Sequence, residues 1–162
     1  MVAMETRVLA VPDGLLVPAS EGWPFVQLCS VAEVEPGTMR RLSRGDHDLL
    51  LAHTAEGLCL VDDRCPHMAA PLSLGGLDGC IVACPLHRGT FDLATGDVVQ
   101  FPTTGGLDAD GRYHPTWQPP GSPPKEEPSD TKARVRALTR VRRIRYYPLR
   151  VIDGMIEARL PA

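Results

Sequence analysis

The fold of this chain is decided by Cys65-Pro66-His67 and Cys84-Pro85-Leu86-His87, two fragments with residues 68–83 between them. Each fragment supplies one thiol and one imidazole, and the members of a pair lie two or three residues apart. An irregular loop can point both members of such a pair in the same direction. We therefore expect two short loops that approach one metal centre from two sides, with two thiolates and two imidazoles.

This ligand set is that of a Rieske [2Fe–2S] centre, in which two histidines replace two cysteines on one of the two irons. We expect Cys65 and Cys84 to bind the inner iron and His67 and His87 to bind the outer iron, where an electron enters or leaves. Two alternatives stay open. Two cysteines and two histidines also bind zinc, although zinc fingers usually place both cysteines in one knuckle. The four residues could also be unrelated structural ones.

Residues 84–96, Cys-Pro-Leu-His-Arg-Gly-Thr-Phe-Asp-Leu-Ala-Thr-Gly, resemble the second cluster loop of Rieske ferredoxins, which feed electrons to ring-hydroxylating oxygenases. The resemblance runs from Phe25 to Phe101 and resumes at residues 146–154. It implies an all-β fold, with a Rieske-type β-sandwich base and a cluster-binding subdomain over residues 63–102. It also implies a one-electron carrier that passes electrons from a reductase to a terminal oxygenase, and that is not itself an enzyme.

Five further residues are expected to form a collar around the cluster that faces the redox partner. They are Pro66, Met68, Pro85, Leu86 and Arg88. The positive charge of Arg88 beside the outer iron should favour the reduced state.

Four positions separate this chain from the Rieske subunits of quinol-oxidising complexes, which carry a disulfide over the cluster and hydroxyl groups near its sulfurs. Ala70 and Leu86 stand where the disulfide cysteines would be, and Gly89 and Phe91 stand where the serine and tyrosine would be. Hydrogen bonds to the sulfurs stabilise the reduced cluster. Their loss predicts a midpoint potential at the low end of the Rieske range, roughly −150 mV.

Length and composition favour one small domain of the cytoplasm. We expect an N-terminal extension over residues 1–22 and the Rieske domain over residues 23–162, with neither a membrane span nor a signal peptide. In a reducing compartment the remaining cysteines, Cys29, Cys59 and Cys80, are expected to be free thiols on strands. Cys80 is the one rival for a ligand role.

The remaining pattern is that of short β-strands bounded by turn residues. The predicted strands are Phe25–Val31, Thr38–Leu42, Asp48–His53, Leu58–Asp62, Cys80–Ala83, Tyr147–Ile152 and Met155–Leu160. Asp153-Gly154 and Glu56-Gly57 predict hairpin turns, since glycine tolerates a positive φ. Such strands suggest a sandwich or a closed sheet.

An insertion over residues 107–145 precedes the last strands. Its first half is rich in proline, with Trp117 as an expected anchor. A proline-containing loop commonly shields the cluster in the family, and both Phe101-Pro102-Thr103 and Pro115–Pro120 are candidates for that loop.

The second half of the insertion, residues 131–145, is strongly basic. It has seven basic residues and no acidic one, whereas residues 1–130 carry a net charge of −10 and residues 146–162 balance at zero. Val135, Leu138, Val141 and Ile144 recur every three residues and favour an amphipathic helix, although a strand from Arg140 fits equally well. The basic run is a solvated face, a dock for an acidic partner, or, against the expectation of no nucleic-acid partner, a nucleic-acid site.

His47, His53 and His114 show no ligand spacing, so the sequence does not predict the second iron site that a catalytic oxygenase subunit needs. This favours an electron carrier. An accessory Rieske subunit held permanently in a larger oxidoreductase, like the small subunit of an assimilatory nitrite reductase, is the alternative. The oligomeric state and the oxygenase substrate stay open.

Overall fold

The computed structural model describes residues 6–123 and 130–162, and these residues are mostly β-strand. The one α-helix of the described residues is α1 (Thr131–Leu138). The strands are β1 (Phe25–Ser30), β2 (Met39–Arg44), β3 (His47–Thr54), β4 (Gly57–Asp62), β5 (Gly76–Asp78), β6 (Ile81–Ala83), β7 (Thr90–Asp92), β8 (Val98–Gln100), β9 (Gly106–Leu107), β10 (Tyr113–His114), β11 (Tyr146–Tyr147), β12 (Leu149–Ile152) and β13 (Met155–Arg159).

Antiparallel pairing joins these strands into two larger sheets, one three-stranded sheet and one short pair. The orders are β11-β4-β3-β2, β5-β6-β7-β8, β1-β13-β12 and β10-β9. The Asp153-Gly154 hairpin is confirmed: both residues have positive φ and connect Ile152 to its partner Met155. The predicted all-β fold with a sandwich base is confirmed.

Strand β3 organises the core because both of its faces are buried. Leu49 and Leu51 lie on one face and Leu50 and Ala52 on the other, as the two-residue period of a strand requires. The first face packs against the β1-β13-β12 sheet and forms the sandwich, and the second packs against the small β5–β8 sheet. The base therefore supports the small sheet. The second cysteine–histidine loop connects two strands of this sheet, and the first loop begins beside it.

The described part of the expected N-terminal extension packs onto the base. Leu9 N–H donates to Leu58 O (2.8 Å), and Tyr146 N–H donates to Leu15 O (2.8 Å). Gly57 permits the contact of the Arg7–Leu9 segment with β4. It has a φ of +129°, and a Cβ there would lie 2.8 Å from Arg7 O. Leu9 and Leu15 are buried in the same core as the small sheet.

The predicted strand Tyr147–Ile152 is wrong as a single element. β11 pairs with β4, whereas β12 pairs with β13 in the other sheet. Pro148 separates them, and it has no N–H to continue either ladder. The chain crosses from one layer of the sandwich to the other at this proline.

Of the two alternatives for the basic run, a helix forms over its first half, but the predicted apolar face is wrong. Helix α1 exposes Val135 (61 %) and Leu138 (73 %), whereas Val141 (0 %) and Ile144 (4 %) are buried in the extended chain after it. The predicted strand from Arg140 reduces to an isolated bridge with Leu107. The four apolar residues therefore do not share one face. Residues 124–129 of the proline-rich half lie outside the described residues.

Candidate metal centre

The first cysteine–histidine loop follows β4 and is closed by its own backbone. Cys65 N–H donates to Ala70 O (2.7 Å), and Ala69 N–H donates to Cys65 O (2.9 Å). Ala69 has a φ of 58°, the left-handed conformation that turns the chain back. Cys65 and His67 are both buried, with 4 % and 9 % of their surfaces exposed.

The second loop connects β6 to β7 and repeats this closure. Cys84 N–H donates to Gly89 O (2.8 Å), and Arg88 again has a φ of 58°. Cys84 is buried, but His87 is only partly so, and Leu86 keeps 59 % of its surface exposed. The two loops therefore hold their cysteines alike and their histidines differently.

The four predicted ligand residues come together as two like pairs. The Cys65 and Cys84 thiols lie within hydrogen-bonding reach of each other, and neither is in a disulfide. The His67 and His87 rings meet edge to face with centroids 5.0 Å apart. Among the residues the structure describes, no group of three His, Cys, Asp or Glu side chains converges to hold a metal ion. Pairs of this kind suit a two-metal cluster better than one tetrahedral zinc.

The chemistry of the two pairs fits a cluster. The Nδ1 atom of His67 is buried and has no hydrogen-bond partner among the described residues, so it is available as a ligand. Burial raises the pKa of the Cys65 thiol to about 11, the nearby Cys84 thiol adds to this, and backbone N–H groups of His67 and Met68 oppose it. Burial and the neighbouring His87 lower the pKa of His67. A cluster requires histidine ligands that are neutral. It also requires cysteine ligands that lose their protons when the metal ions bind.

Residues 102–104 cover this pair of loops. Thr103 N–H donates to His87 O (2.9 Å), and the Thr104 hydroxyl lies 3.3 Å from His67 Nε2. A Cβ on Gly89 would lie 3.1 Å from Pro102 Cγ, so the absence of a side chain there lets the proline approach. Of the two candidate proline segments, the one at Phe101-Pro102-Thr103 makes the direct contacts with the loops.

The second candidate segment lies behind the first. Trp117 N–H donates to Thr103 O (2.8 Å), and the Thr116 hydroxyl lies 3.4 Å from Thr104 O. The expectation that Trp117 is a buried anchor is wrong, because its side chain is 57 % exposed. Its backbone, and not its indole, makes the attachment.

Two buried polar contacts that sequence reasoning missed hold the loops to the base. The Asp63 carboxylate, fully buried, accepts hydrogen bonds from Ser73 N–H (2.8 Å) and Ser73 Oγ–H (2.6 Å) across the first loop. The Tyr146 hydroxyl donates to Leu93 O (2.6 Å), just beyond β7. An acid two residues before the first cysteine was the only signal for Asp63, and it is a weak one.

The basic run also reaches the first loop. Arg142 N–H donates to Pro66 O (3.3 Å), between the two ligand residues of that loop. Arg142, Arg143 and Arg145 line a cleft with Cys65–Ala69. The insertion therefore adds positive charge directly beside the predicted metal centre.

The predicted collar residues sit on the surface around the two loops. Met68 is 57 % exposed, Pro85 and Arg88 are exposed, and Pro66 is half-buried. Cys29 and Cys59 are buried free thiols as predicted. Cys80 is a half-buried free thiol whose carbonyl accepts from Leu93 N–H (2.8 Å).

Two of the other three histidines, His53 and His114, make side-chain contacts of their own. His53 Nδ1 lies 2.8 Å from Val34 O, and His114 pairs with Asp108 and stacks on Phe101. No helix in the described ranges, 6–123 and 130–162, is long and apolar enough to cross a membrane.

Sequence comparison finds related ferredoxins. The chain is 35% identical over 81 residues to ferredoxin CarAc of Metapseudomonas resinovorans, a match that covers 49% of this chain and 76% of that protein. It is 37% identical over 75 residues to the biphenyl dioxygenase ferredoxin subunit of Pseudomonas sp. strain KKS102, covering 46% and 69% of the two chains.

Structure comparison agrees on the fold. A chain from the complex of reduced oxygenase and oxidised ferredoxin in carbazole 1,9a-dioxygenase superposes with a TM-score of 0.55 at 22% identity, covering 83% of this chain and 92% of that one. Residues 24–111, more than half of the sequence, match the Rieske [2Fe-2S] domain family. The cofactor is thus a Rieske-type [2Fe–2S] cluster, and the chain belongs to the Rieske [2Fe-2S] domain family.

Proposed function

We propose that this protein is a one-electron carrier that takes electrons from a reductase and delivers them to a terminal oxygenase. The observation that carries the proposal is the paired arrangement of Cys65 with Cys84 and of His67 with His87 on two loops of matching backbone closure. The matched relatives are ferredoxin components, and one is the ferredoxin subunit of a biphenyl dioxygenase. An oxygenase partner is the proposal that these relatives support.

We assign Cys65 and Cys84 to the inner iron and His67 and His87 to the outer iron. When bound, the cluster supplies one reversible electron at a potential set by its mixed ligands. His67 would bind through the orphaned Nδ1, so its proton stays on Nε2, where Nε2–H donates to Thr104 Oγ1. The N–H groups of His67 and Met68 point at the Cys65 sulfur and stabilise its thiolate.

The surrounding residues separate the inner pair from water and leave one side open. Cys65, His67 and Cys84 are buried, and the exposed Leu86 flanks the partly exposed His87. We place the electron exit at His87, within the collar of Pro66, Met68, Pro85, Leu86 and Arg88.

Spectroscopy of the purified protein tests this function. The reduced protein should show an EPR spectrum with an average g value below that of an all-cysteine [2Fe–2S] cluster, and a midpoint potential near the low limit of the family, roughly −150 mV. His67→Cys should move the spectrum toward the all-cysteine type. A midpoint above about +100 mV would contradict the proposed effect of Gly89 and Phe91, which supply no hydroxyl hydrogen bonds to the cluster sulfurs.

A permanently bound accessory subunit is the second candidate. The exposed Trp117, Val135 and Leu138 of the insertion offer apolar surface that a parent complex could cover. Mild affinity purification from the native host distinguishes the two. A carrier elutes alone, whereas an accessory subunit elutes in fixed stoichiometry with a larger oxidoreductase. We expect the carrier in the cytoplasm.

A further inference from the structure

A cleft of about 320 Å³ opens beside the first cysteine–histidine loop. It lies between residues 62–69, which hold Cys65 and His67, and residues 142–145 of the insertion. Its charged lining is Arg64, Arg142, Arg143, Arg145 and Asp62. We call it the arginine cleft. The lining holds four guanidinium groups and one carboxylate, in a chain whose first 130 residues are acidic.

Two of the four arginines already have partners. Arg143 pairs with Asp97 (2.9 Å) and Asp110 (3.6 Å), and Arg145 donates to Gly14 O (2.7 Å). These contacts tie the far side of the cleft to other parts of the fold. Their guanidinium groups therefore serve mainly to hold the segment in place.

The other two are exposed and uncommitted. Among the described residues, Arg64 and Arg142 form no ion pair with any carboxylate. The one carboxylate in the lining, Asp62, accepts a hydrogen bond from the Tyr147 hydroxyl (2.6 Å). Arg64 and Arg142 are thus free to bind an external acid, and both line the cleft.

The cleft is held rigidly next to the ligand residues. Val141 and Ile144 are buried on either side of Arg142, and the Arg142 N–H bonds to Pro66 O (3.3 Å). In contrast, Lys132 and Arg134 belong to the same basic run but sit exposed on α1, away from the lining. Only part of the basic run is therefore placed where it can influence contact with the metal centre.

We infer that the arginine cleft receives the aspartate and glutamate side chains of an acidic segment on the protein that exchanges electrons with this one. The inference rests on the proposed carrier function and specifies the chemistry of its partner. Fixed positive charge beside the loop orients and accelerates the encounter with a negative patch. The cleft lining contains no phenylalanine, tyrosine or tryptophan, and its one ring, the His67 imidazole, is buried, so an acidic protein fits better than nucleic acid.

The test uses the full-length protein with its cluster and a fluorescein-labelled oligoglutamate peptide as the probe. The variant Arg64→Glu/Arg142→Glu removes both free guanidinium groups, and Lys132→Glu/Arg134→Glu makes the same change of net charge on α1. We expect the peptide affinity, measured by fluorescence anisotropy, to fall about tenfold in the cleft variant and to change less than about twofold in the control. Binding should weaken as salt rises from about 20 to about 200 mM.

A small redox probe gives a second measurement. Oxidation of the reduced protein by anionic hexacyanoferrate(III) should slow in the cleft variant relative to the α1 control, once each rate is corrected for the midpoint potential measured for that variant. Equal effects of the two double variants on peptide affinity would overturn the inference. So would tighter binding of an oligothymidylate of matched charge, because that would identify a nucleic-acid site.

The failure of the cleft and the failure of the carrier function are separable. EPR of each sample reports the cluster, and the peptide titration reports the cleft. A normal Rieske spectrum with no loss of affinity in the cleft variant would refute the cleft alone. Absence of the Rieske spectrum from the unmodified protein would refute the carrier function. The peptide titration would still show whether the arginine cleft binds an acidic segment.

Discussion

The two cysteine–histidine loops share a backbone design and differ in what covers them. In each, the cysteine N–H bonds to the carbonyl five residues ahead and the residue before that carbonyl has a φ of 58°. His67 is nevertheless buried, with 9 % of its surface exposed, whereas His87 is only partly buried. The backbone closures are alike, and the packing around each loop decides which histidine is the more exposed.

The cover comes from distant parts of the chain. Residues 102–104 contact both loops, and Arg142 adds a backbone bond to the first loop alone. Asp63 fixes the first loop from inside the base, whereas Tyr146 fixes the strand after the second. The first loop therefore has more contacts with the rest of the fold, and its histidine is the more buried of the two.

The largest expected effect is the loss of the cluster, and it should be the same for a cysteine substitution in either loop. Cys65→Ser and Cys84→Ser should each abolish cluster assembly, because each removes one of two thiolates in a buried pair. Iron content should fall from about two atoms per chain to near zero. Cys29→Ser, an equally buried cysteine of β1, is the control and should retain the iron. A ligand variant that keeps its full iron would remove that residue from the site.

The next largest effect is a loss of stability that should arise at the first loop only. Asp63→Ala leaves the Ser73 N–H and hydroxyl donors of the first loop unsatisfied, and it should destabilise the protein by about 3 kcal/mol. For a chain of this size that corresponds to a drop of about 6–12 °C in Tm, measured by circular dichroism. Asp97→Ala breaks only an exposed pair with Arg143 and should cost less than about 1 kcal/mol. Equal losses would show that Asp63 is not an anchor.

A smaller effect concerns the second loop. Tyr146→Phe removes the buried bond to Leu93 O and should cost about 1 kcal/mol. The second loop should loosen more than the first, which amide hydrogen exchange can measure at Thr90 and Cys65. Faster exchange at Cys65 alone would reverse the assignment.

The same tyrosine predicts a dependence on alkaline pH. Burial raises the pKa of Tyr146 and of Tyr147 well above the usual value near 10. As the pH rises through that value, the unfolded chain loses its phenolic protons first, so stability is full below about pH 10 and declines above it. Tyr146→Phe/Tyr147→Phe should flatten this decline relative to the parent protein in urea titrations between about pH 9 and 11. An unchanged slope would attribute the decline to other groups, such as the buried Cys59 thiol, whose pKa is raised to about 12.

The smallest stability effect should come from the exposed tips. Leu86→Ala and Met68→Ala should each change the unfolding free energy by less than about 0.5 kcal/mol, because both side chains are more than half exposed. Leu86→Ala should slow electron self-exchange between oxidised and reduced protein more than Met68→Ala does, since Leu86 precedes the exposed histidine. The opposite order would place the exit at His67.

The local chemistry of this protein could be predicted from short stretches of sequence. Cys65, His67, Cys84 and His87 were predicted as ligands from their spacing, because a ligand pair of this kind is made of residues close together in the chain. The strands of the base and the Asp153-Gly154 turn followed from short apolar runs bounded by turn residues and from tolerance of positive φ, whereas β5 and β7–β10 were not predicted. The error at Pro148 arose because the chain passes there from one layer of the sandwich to the other. The error in the basic run arose because the segment changes from helix to extended chain midway.

By itself, the sequence determined that two thiols and two imidazoles approach from two loops on a β-fold. Only the tertiary structure decided that Pro102 and Thr104 cover them, that Asp63 holds the first loop, and that Arg142 lies beside Pro66. The physical reason is that a ligand set depends on residues close in the chain. Burial, charge placement and the open side of the centre depend on contacts between segments far apart in it.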